Sequence, residues 1–174
     1  GDGTPITTLI DLESGTNLLI QFVQPLEARL LLATTGGFGL LAKVGDMTSR
    51  QRAGKSFLSI DDKDRLLPPV PVQGAHTQVA CLSMSSRLLV FPLDELKLQS
   101  NGGKGLTLMD VDARDPLVSV ATCANAVKVL GLGRGQTPRE EDLKGATLAS
   151  HVGKRARKGK VIDAAIKGQR VIAL

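Results

Sequence analysis

The sequence predicts an all-β fold built from a repeated, four-stranded unit. Three observations carry this prediction: short apolar runs alternate with turn-forming Gly, Pro, Asp and Ser residues, the pattern recurs after 49 residues, and each copy holds four runs. Four short strands in about 49 residues is the size of one blade of a propeller-like disc. We expect the disc to be open or incomplete in this chain.

The repeat appears when residues 30–60 are moved forward by 49 positions without a gap. Apolar residues then fall on apolar residues, and Gly54-Lys55 falls on Gly103-Lys104. Upstream, Gly3 to Leu9 resembles Gly54 to Ile60. We therefore interpret residues 1–29 as the remainder of a truncated blade of a longer soluble protein.

The third copy is looser than the first two. Its Asp142-Leu143 resembles Asp46-Met47, and its Arg157-Lys158-Gly159-Lys160 resembles Arg52-Ala53-Gly54-Lys55, with an insertion of nine residues between these marks. We place the three blades within one domain that spans residues 1–174, and their predicted bounds are 30–78, 79–125 and 126–174.

Each of the first two copies begins with a predicted hairpin. In the first copy, runs 29–34 and 38–44 flank Gly36-Gly37, and the second copy has 79–84, Ser85-Ser86 and 87–91. An Asp-containing turn and a polar Gly-Lys loop follow each hairpin. Two further runs then complete each copy, and these are 57–60 and 66–72, then 106–109 and 117–122.

Two local signals modify this pattern. Pro68, Pro69 and Pro71 cannot donate hydrogen bonds to a strand ladder, so the run 66–72 should form a short or edge strand. Residues 139–150 have the composition of a single helical turn.

The charge is concentrated at one end of the chain. The net charge is +5, yet residues 1–125 carry 11 basic and 13 acidic residues, whereas residues 126–174 carry 11 basic and 4 acidic residues. This asymmetry favours a polyanionic partner near the third copy, although a solvated basic tail gives the same count. The chain has no Trp, no Tyr and four Phe, so it offers little for stacking single-stranded bases. A nucleic-acid partner would therefore be duplex.

The recurring Gly-Lys loop is the candidate binding element. Glycine allows a tight turn, and Lys and Arg side chains contact phosphates and release counterions. The third loop is the richest, with five basic residues among the seven from 154 to 160. The basic residues predicted to bind DNA are Arg50, Arg52, Lys55, Lys104, Lys154, Arg155, Arg157, Lys158 and Lys160.

Other chemistry is poorly supported by the sequence. Gly54-Lys55-Ser56 resembles the end of a nucleotide-binding loop, but Ser49 stands where that motif requires glycine. Cys81 and Cys123 are interpreted as small buried hydrophobes, and the two histidines have no metal-ligand spacing. No nucleophile, base and orienting group can be assembled. We expect no catalytic residue, no metal and no cofactor in this domain.

The blade pattern and the basic loops together resemble the C-terminal domains of the A subunits of bacterial type IIA topoisomerases, gyrase and topoisomerase IV. Gyrase carries an intact box of Gln, Arg, Gly and Lys, and here Gln51-Arg52-Ala53-Gly54-Lys55 is a degenerate version. The degeneration favours the topoisomerase IV branch. The other segments that resemble that branch are Pro68-Pro69-Val70, Arg87 to Pro92, Gly102 to Gly105 and Arg157 to Lys160.

The resemblance implies a β-pinwheel whose blades exchange strands and whose basic outer rim bends duplex DNA for strand passage in supercoil relaxation and chromosome decatenation. It implies that the parent is an ATP-dependent topoisomerase with its catalytic tyrosine elsewhere, since this chain has no Tyr. Implied partners are duplex DNA, the ATPase B subunit and the rest of the A subunit, with no integral membrane segment and a cytoplasmic, nucleoid-associated location. The degenerate box implies weaker chiral wrapping than in gyrase.

Two alternatives have different sequence requirements. A propeller-type interaction module that docks a chromosome-organising protein would share the repeat but would not need basic loops, and the mildly acidic residues 1–125 are its candidate surface. A small-ligand or enzymatic propeller would need a cluster of converging polar residues, which the sequence does not offer.

Overall fold

The computed structural model describes residues 24–48, 57–163 and 165–174. The strands in these ranges are β1 Arg29–Ala33, β2 Phe38–Lys43, β3 Val70–Pro71, β4 Gln78–Ser83, β5 Arg87–Pro92, β6 Leu106–Thr107, β7 Leu117–Cys123, β8 Ala126–Leu132, β9 Pro138–Lys144, β10 Lys160–Val161 and β11 Lys167–Ala173. The helical elements are α1 Val44–Met47, α2 Gly145–Ala149 and two 3-10 turns, Leu93–Glu95 and Arg134–Gln136. The all-β prediction is confirmed. No helix in the described ranges is long and apolar enough to cross a membrane.

The strands form antiparallel sheets, and the first two sheets each take one strand from the following sequence repeat. The strand orders are β3-β1-β2-β6, β10-β5-β4-β7 and β11-β8-β9. In the first sheet β6 pairs with the start of β2, and in the second sheet β10 pairs with the start of β5. These sheets are the blades of the predicted pinwheel, and strand exchange makes each of the first two sheets cross a repeat boundary. The residue bounds assigned to the blades from the sequence stay predictions.

The exchanged strands β6 and β10 each form one edge of their sheet. The opposite edges are formed by β3 and β7, which pack against strands of neighbouring sheets. Strand β7 packs against β11, β3 and β1. Residues of β3, β7 and β11 line one cavity of about 530 Å³. We call this the inner side of the blades, and we call the edges formed by β6 and β10 the outer edges.

The core forms because the second sheet, which packs against the other two, is apolar on both faces. Cys81 and Phe91 are buried on the face that packs against the first sheet. Ala80 and Val90 are buried on the face that packs against β8 and β11. The strands of such a sheet have continuous apolar sequences, since neither face contacts water. Both cysteines are free and buried, as expected from the sequence, and burial raises the pKa of the Cys81 thiol.

The two predicted hairpins are confirmed. Gly37 has a φ of 85° and Ser86, at the equivalent position of the second hairpin, has a φ of 65°. Asp115 stabilises the second turn because its carboxylate accepts hydrogen bonds from the amide and hydroxyl of Ser85, at 2.7 and 2.6 Å.

Several shorter elements differ from the predicted runs. The run 66–72 forms a ladder with β1 only at Val70–Pro71, with one isolated bridge from Leu66 to Thr34, and β3 is an edge strand, as its prolines predict. Within 57–60, the only β-bridge that the structure describes joins Leu58 to Gly103. The predicted helical turn in 139–150 is confirmed for Gly145–Ala149, but Pro138–Lys144 is strand β9. Pairing with β8 along its whole length overrides the polar composition of this strand.

Candidate nucleic-acid interface

The basic loop of the third repeat bridges the outer edges of two sheets. It leaves the second sheet at Gly153, whose amide donates to the Val90 carbonyl at 2.8 Å. It then reaches the segment after β6, where the Ala156 amide donates to the Leu108 carbonyl at 2.9 Å. It returns to the second sheet as β10. Residues 153–159 are called the third basic loop below.

The second repeat builds an equivalent loop from residues 99–105, called the second basic loop. It leaves the first sheet at Gln99, whose amide donates to the Leu41 carbonyl at 2.8 Å. The Gly103 amide donates to the Phe57 carbonyl at 2.8 Å, and the Ser59 amide donates to the Gly103 carbonyl at 3.0 Å. The loop then returns to the first sheet as β6. The same path therefore recurs at the outer edges of both sheets.

A glycine is required where each loop rejoins its sheet. Gly105 and Gly159 have φ angles of 84° and 74°. A Cβ on Gly105 would lie 2.2 Å from the Gly39 carbonyl oxygen, and one on Gly159 would lie 2.7 Å from the Leu88 carbonyl oxygen. Both positions need the left-handed backbone and the absence of a side chain.

This equivalence corrects the sequence alignment of the third copy, which matched Gly159 with Gly54 and Gly103. The sheet pairings make Gly159 equivalent to Gly105 instead, because β10 and β6 pair with equivalent residues of the two hairpins. Lys158 therefore occupies the position of Lys104. The Gly-Lys pair that Gly159-Lys160 shares with Gly54-Lys55 and Gly103-Lys104 made the wrong register look better by sequence.

Lys104 is held by two contacts within the protein. Its ammonium Nζ lies 2.7 Å from the Asp61 carboxylate and 4.2 Å from the centroid of the Phe38 ring. Both contacts stabilise its position, and the ion pair partly neutralises its charge. The second loop therefore presents a paired cation.

Arg155 points into the protein. Its Nη1 donates to the Thr107 carbonyl at 2.6 Å, and its backbone amide donates to the Glu95 carboxylate at 3.3 Å. Its Nε is buried without a hydrogen-bond partner among the residues described. The geometry favours an anchoring contact over contact with an external anion.

The remaining predicted cations of the third loop and β10 are exposed. Lys154, Arg157 and Lys158 have no ion-pair partner in the described part of the chain. Lys160 has one, a 3.7 Å contact with the Asp163 carboxylate, and Asp163 is 90% exposed. Such exposed pairs contribute little, so all four cations remain available to an anion. Arg50, Arg52 and Lys55 lie outside the described residues.

Two further cations lie beside Lys158 and were not predicted. Arg87, Arg114 and Lys158 line a cleft of about 180 Å³ together with Asp110, Val111, Asp112 and Asp115. Arg87 is engaged by the Asp115 carboxylate at 3.6 Å, whereas Arg114 is exposed. Arg87 could have been noticed from the sequence, because it stands where the first repeat has Phe38.

Electrostatics fix the state of Asp115. Partial burial acts to raise the pKa of this carboxyl, but hydrogen bonds from Ser85 and Ser83 and the charge of Arg87 outweigh burial and lower it. Asp115 is therefore ionised at neutral pH and pairs with Arg87, whose charge it partly neutralises. The cleft also contains two other carboxylates, so its net charge is lower than that of the loop.

The comparisons with known proteins agree with this geometry. A family model described as the DNA gyrase C-terminal domain, beta-propeller, matches residues 77–124. The A subunit of DNA topoisomerase 4 from Neisseria gonorrhoeae is 30% identical over 163 residues, which cover 90% of this chain and 21% of that relative. The chain thus spans about a fifth of this relative.

Two solved structures share the fold. The C-terminal domain of ParC from E. coli has a TM-score of 0.82 and 24% identity, over 98% of this chain and 70% of that chain. The C-terminal domain of DNA topoisomerase IV has a TM-score of 0.71 and 15% identity, over 92% of this chain and 50% of that chain. The β-pinwheel prediction is confirmed by these neighbours. Taken with the sequence relatives, they show that the chain belongs to the family of C-terminal β-pinwheel domains found in the A subunits of bacterial gyrase and topoisomerase IV, on the topoisomerase IV side.

Proposed function

We propose that this domain binds duplex DNA without sequence preference along its outer edges and bends it. The observation that carries the proposal is the glycine-anchored basic loop that recurs at the outer edges of adjacent sheets, with exposed cations in the third loop. Lys and Arg at such positions contact phosphates, which carry no sequence information. The scarcity of aromatic residues argues against a single-stranded partner.

The number of exposed cations sets the expected strength of binding. Each neutralised phosphate contributes about 0.9 to the slope of log affinity against log salt concentration. The four exposed cations Lys154, Arg157, Lys158 and Lys160 therefore correspond to a slope of about −3.6. Affinity should then fall about 150-fold between about 50 and 200 mM salt. Contacts from Arg50, Arg52, Lys55 and Lys104 would make the slope steeper.

Bending is compatible with this number of contacts. Curving a short duplex through 40–90° costs on the order of 1–6 kcal/mol by elastic estimates. A handful of phosphate contacts can offset that cost.

Within a longer A subunit the domain would act without catalysing strand cleavage. This chain has no Tyr, so it cannot supply a tyrosine nucleophile. We propose that it presents a DNA segment for strand passage in a cytoplasmic, nucleoid-associated topoisomerase IV that also contains the ATPase B subunit. Supercoil relaxation and decatenation would be activities of that assembly.

The test compares the chain with two variants of equal charge change. In the loop variant, Lys154, Arg157, Lys158 and Lys160 become Gln. In the control variant, the same change is made at four exposed cations of the third sheet and its hairpin loop, namely Arg134, Lys144, Lys167 and Arg170. Binding to a labelled duplex and to a single strand of equal length is measured across salt concentrations.

We expect the unmodified chain to prefer duplex, with a steep salt dependence. The loop variant should lose most of the slope, and the control variant should keep most of it. Equal losses in both variants would show a diffuse charge effect and contradict the loop assignment. Weak, salt-insensitive binding by the unmodified chain would contradict the DNA proposal and favour a module that docks a chromosome-organising protein.

A further inference from the structure

Arg155 differs from the other basic residues of the third loop in where its charge lies. Its Nη1 donates to the Thr107 carbonyl at 2.6 Å, and Thr107 belongs to β6, the outer strand of the first sheet. The loop that carries Arg155 begins and ends on the second sheet. The guanidinium therefore connects the outer edge of one blade to the loop of the next.

Neighbouring contacts reinforce this connection. The Arg155 amide donates to the Glu95 carboxylate, in the 3-10 turn that follows β5. On the next residues, the Ala156 amide donates to the Leu108 carbonyl and the Asp110 amide donates to the Arg157 carbonyl at 3.0 Å. Arg155 thus sits where the loop is fixed to the segment after β6. Its buried Nε leaves the guanidinium little freedom to turn outward without breaking the contact with Thr107.

The second basic loop has no such group. The residue at the position of Arg155 in that loop is Asn101, because Gln99 and Gly153 make matching bonds to Leu41 and Val90. Asn101 is exposed. The guanidinium contact is therefore a feature of the third loop, and the repeat pattern alone does not require it.

We propose that Arg155 is a positioning residue that sets the relative orientation of the outer edges of the first two blades, and through it the path of a bound duplex, without contacting phosphate. This inference rests on the proposed function, because the bent duplex is its readout. Lys158 lies three residues away and is exposed without an ion-pair partner in the described residues, so it serves as the matched phosphate-contacting residue.

The experiment compares Arg155→Met with Lys158→Met in the full chain. Both substitutions remove one positive charge and keep an aliphatic side chain. Three quantities are measured: the salt slope of duplex affinity, the end-to-end energy transfer of a doubly labelled duplex at saturating protein, and amide hydrogen exchange at Ala156 and Asp110. Amides of β4 and β7 in the core report whether each variant is folded.

For Lys158→Met we expect the slope to fall by about 0.9, with the saturated bend and the two amides unchanged. For Arg155→Met we expect a slope change of less than half that value, reduced energy transfer at saturation, and faster exchange at both amides. A slope loss of about 0.9 in Arg155→Met, with unchanged bend and exchange, would overturn the proposal and make Arg155 a phosphate contact.

Failure of the proposed function would be recognised separately. In that case the unmodified chain would not bind duplex DNA, and amide hydrogen exchange alone would test the positioning role of Arg155. Faster exchange at Ala156 and Asp110 in Arg155→Met, with the core amides protected, would support the positioning role. Unchanged exchange would overturn it.

Discussion

The close approach of the third basic loop to its sheet predicts a large effect for Gly159→Ala. Gly159 has a φ of 74°, and a Cβ there would lie 2.7 Å from the Leu88 carbonyl oxygen. The left-handed backbone costs a non-glycine residue about 1–2 kcal/mol. Relief of the contact requires β10 to move away from β5, which threatens the ladder bonds beside it and the bond from the Ile162 amide to the Ser86 carbonyl at 3.0 Å.

Two lost backbone hydrogen bonds would add about 1–3 kcal/mol, so Gly159→Ala should destabilise the chain by about 2–5 kcal/mol. Two other glycines separate the contributions. Gly135 has a φ of 71°, but no atom of the described residues lies within 4 Å of where its Cβ would stand, so Gly135→Ala should cost only about 1–2 kcal/mol of backbone strain. Gly74 has open space and no left-handed φ, so Gly74→Ala should be neutral or slightly stabilising.

Urea unfolding of the three variants measures these differences as shifts of the midpoint at constant denaturant slope. The expected order of stability is Gly74→Ala, then Gly135→Ala, then Gly159→Ala. If Gly159→Ala were no less stable than Gly135→Ala, the contact with Leu88 would not constrain the loop. Gly159→Ala should also weaken duplex binding although it removes no charge, because Lys158 and Lys160 flank the displaced position.

Three further predictions concern single side chains. Asp61→Asn should free Lys104 from its ion pair, so duplex affinity should rise and its salt slope should steepen by up to about 0.9 in the binding assay. Asp115→Asn should lower the urea midpoint, because the Ser85 amide loses an ionised acceptor. Because folding lowers the pKa of Asp115, the stabilisation that its carboxylate provides exists above about pH 4 and disappears as the pH falls through the folded pKa. Burial lowers the pKa of His151, so unfolding is favoured as the pH drops below about 6.5, and unfolding curves of His151→Gln should lose that pH dependence.

Local features of the fold followed from the sequence. The hairpins were predictable because Gly36-Gly37 and Ser85-Ser86 each separate two apolar runs. The short β3 was predictable because Pro68, Pro69 and Pro71 restrict pairing. These properties depend on neighbouring residues and on the backbone preferences of Gly and Pro, which the sequence displays directly.

Features that depend on distant backbone contacts were not predictable from the residues alone. The exchange of β6 and β10 could be predicted only from the family resemblance, since no local sequence feature indicates which hairpin a two-residue strand will join. The alignment of Gly159 with Gly103 was wrong for the same reason, because the correct partner, Gly105, is defined by contact with β2. Charge counting likewise treated Arg155 and Lys158 as equal, although one bonds to a carbonyl and the other faces solvent.

The third basic loop, which carries most of the predicted cations among the described residues, also fixes the outer edges of the first two sheets to one another. The positions of its exposed cations are therefore tied to the spacing of these two blades, and any change that alters that spacing moves the charges with it. The two described loops are unequal, because Lys104 is paired with Asp61 whereas Lys154, Arg157 and Lys158 have no ion-pair partner among the described residues. A duplex that follows both outer edges would be held more strongly at the third loop, so salt should release it first from the second loop.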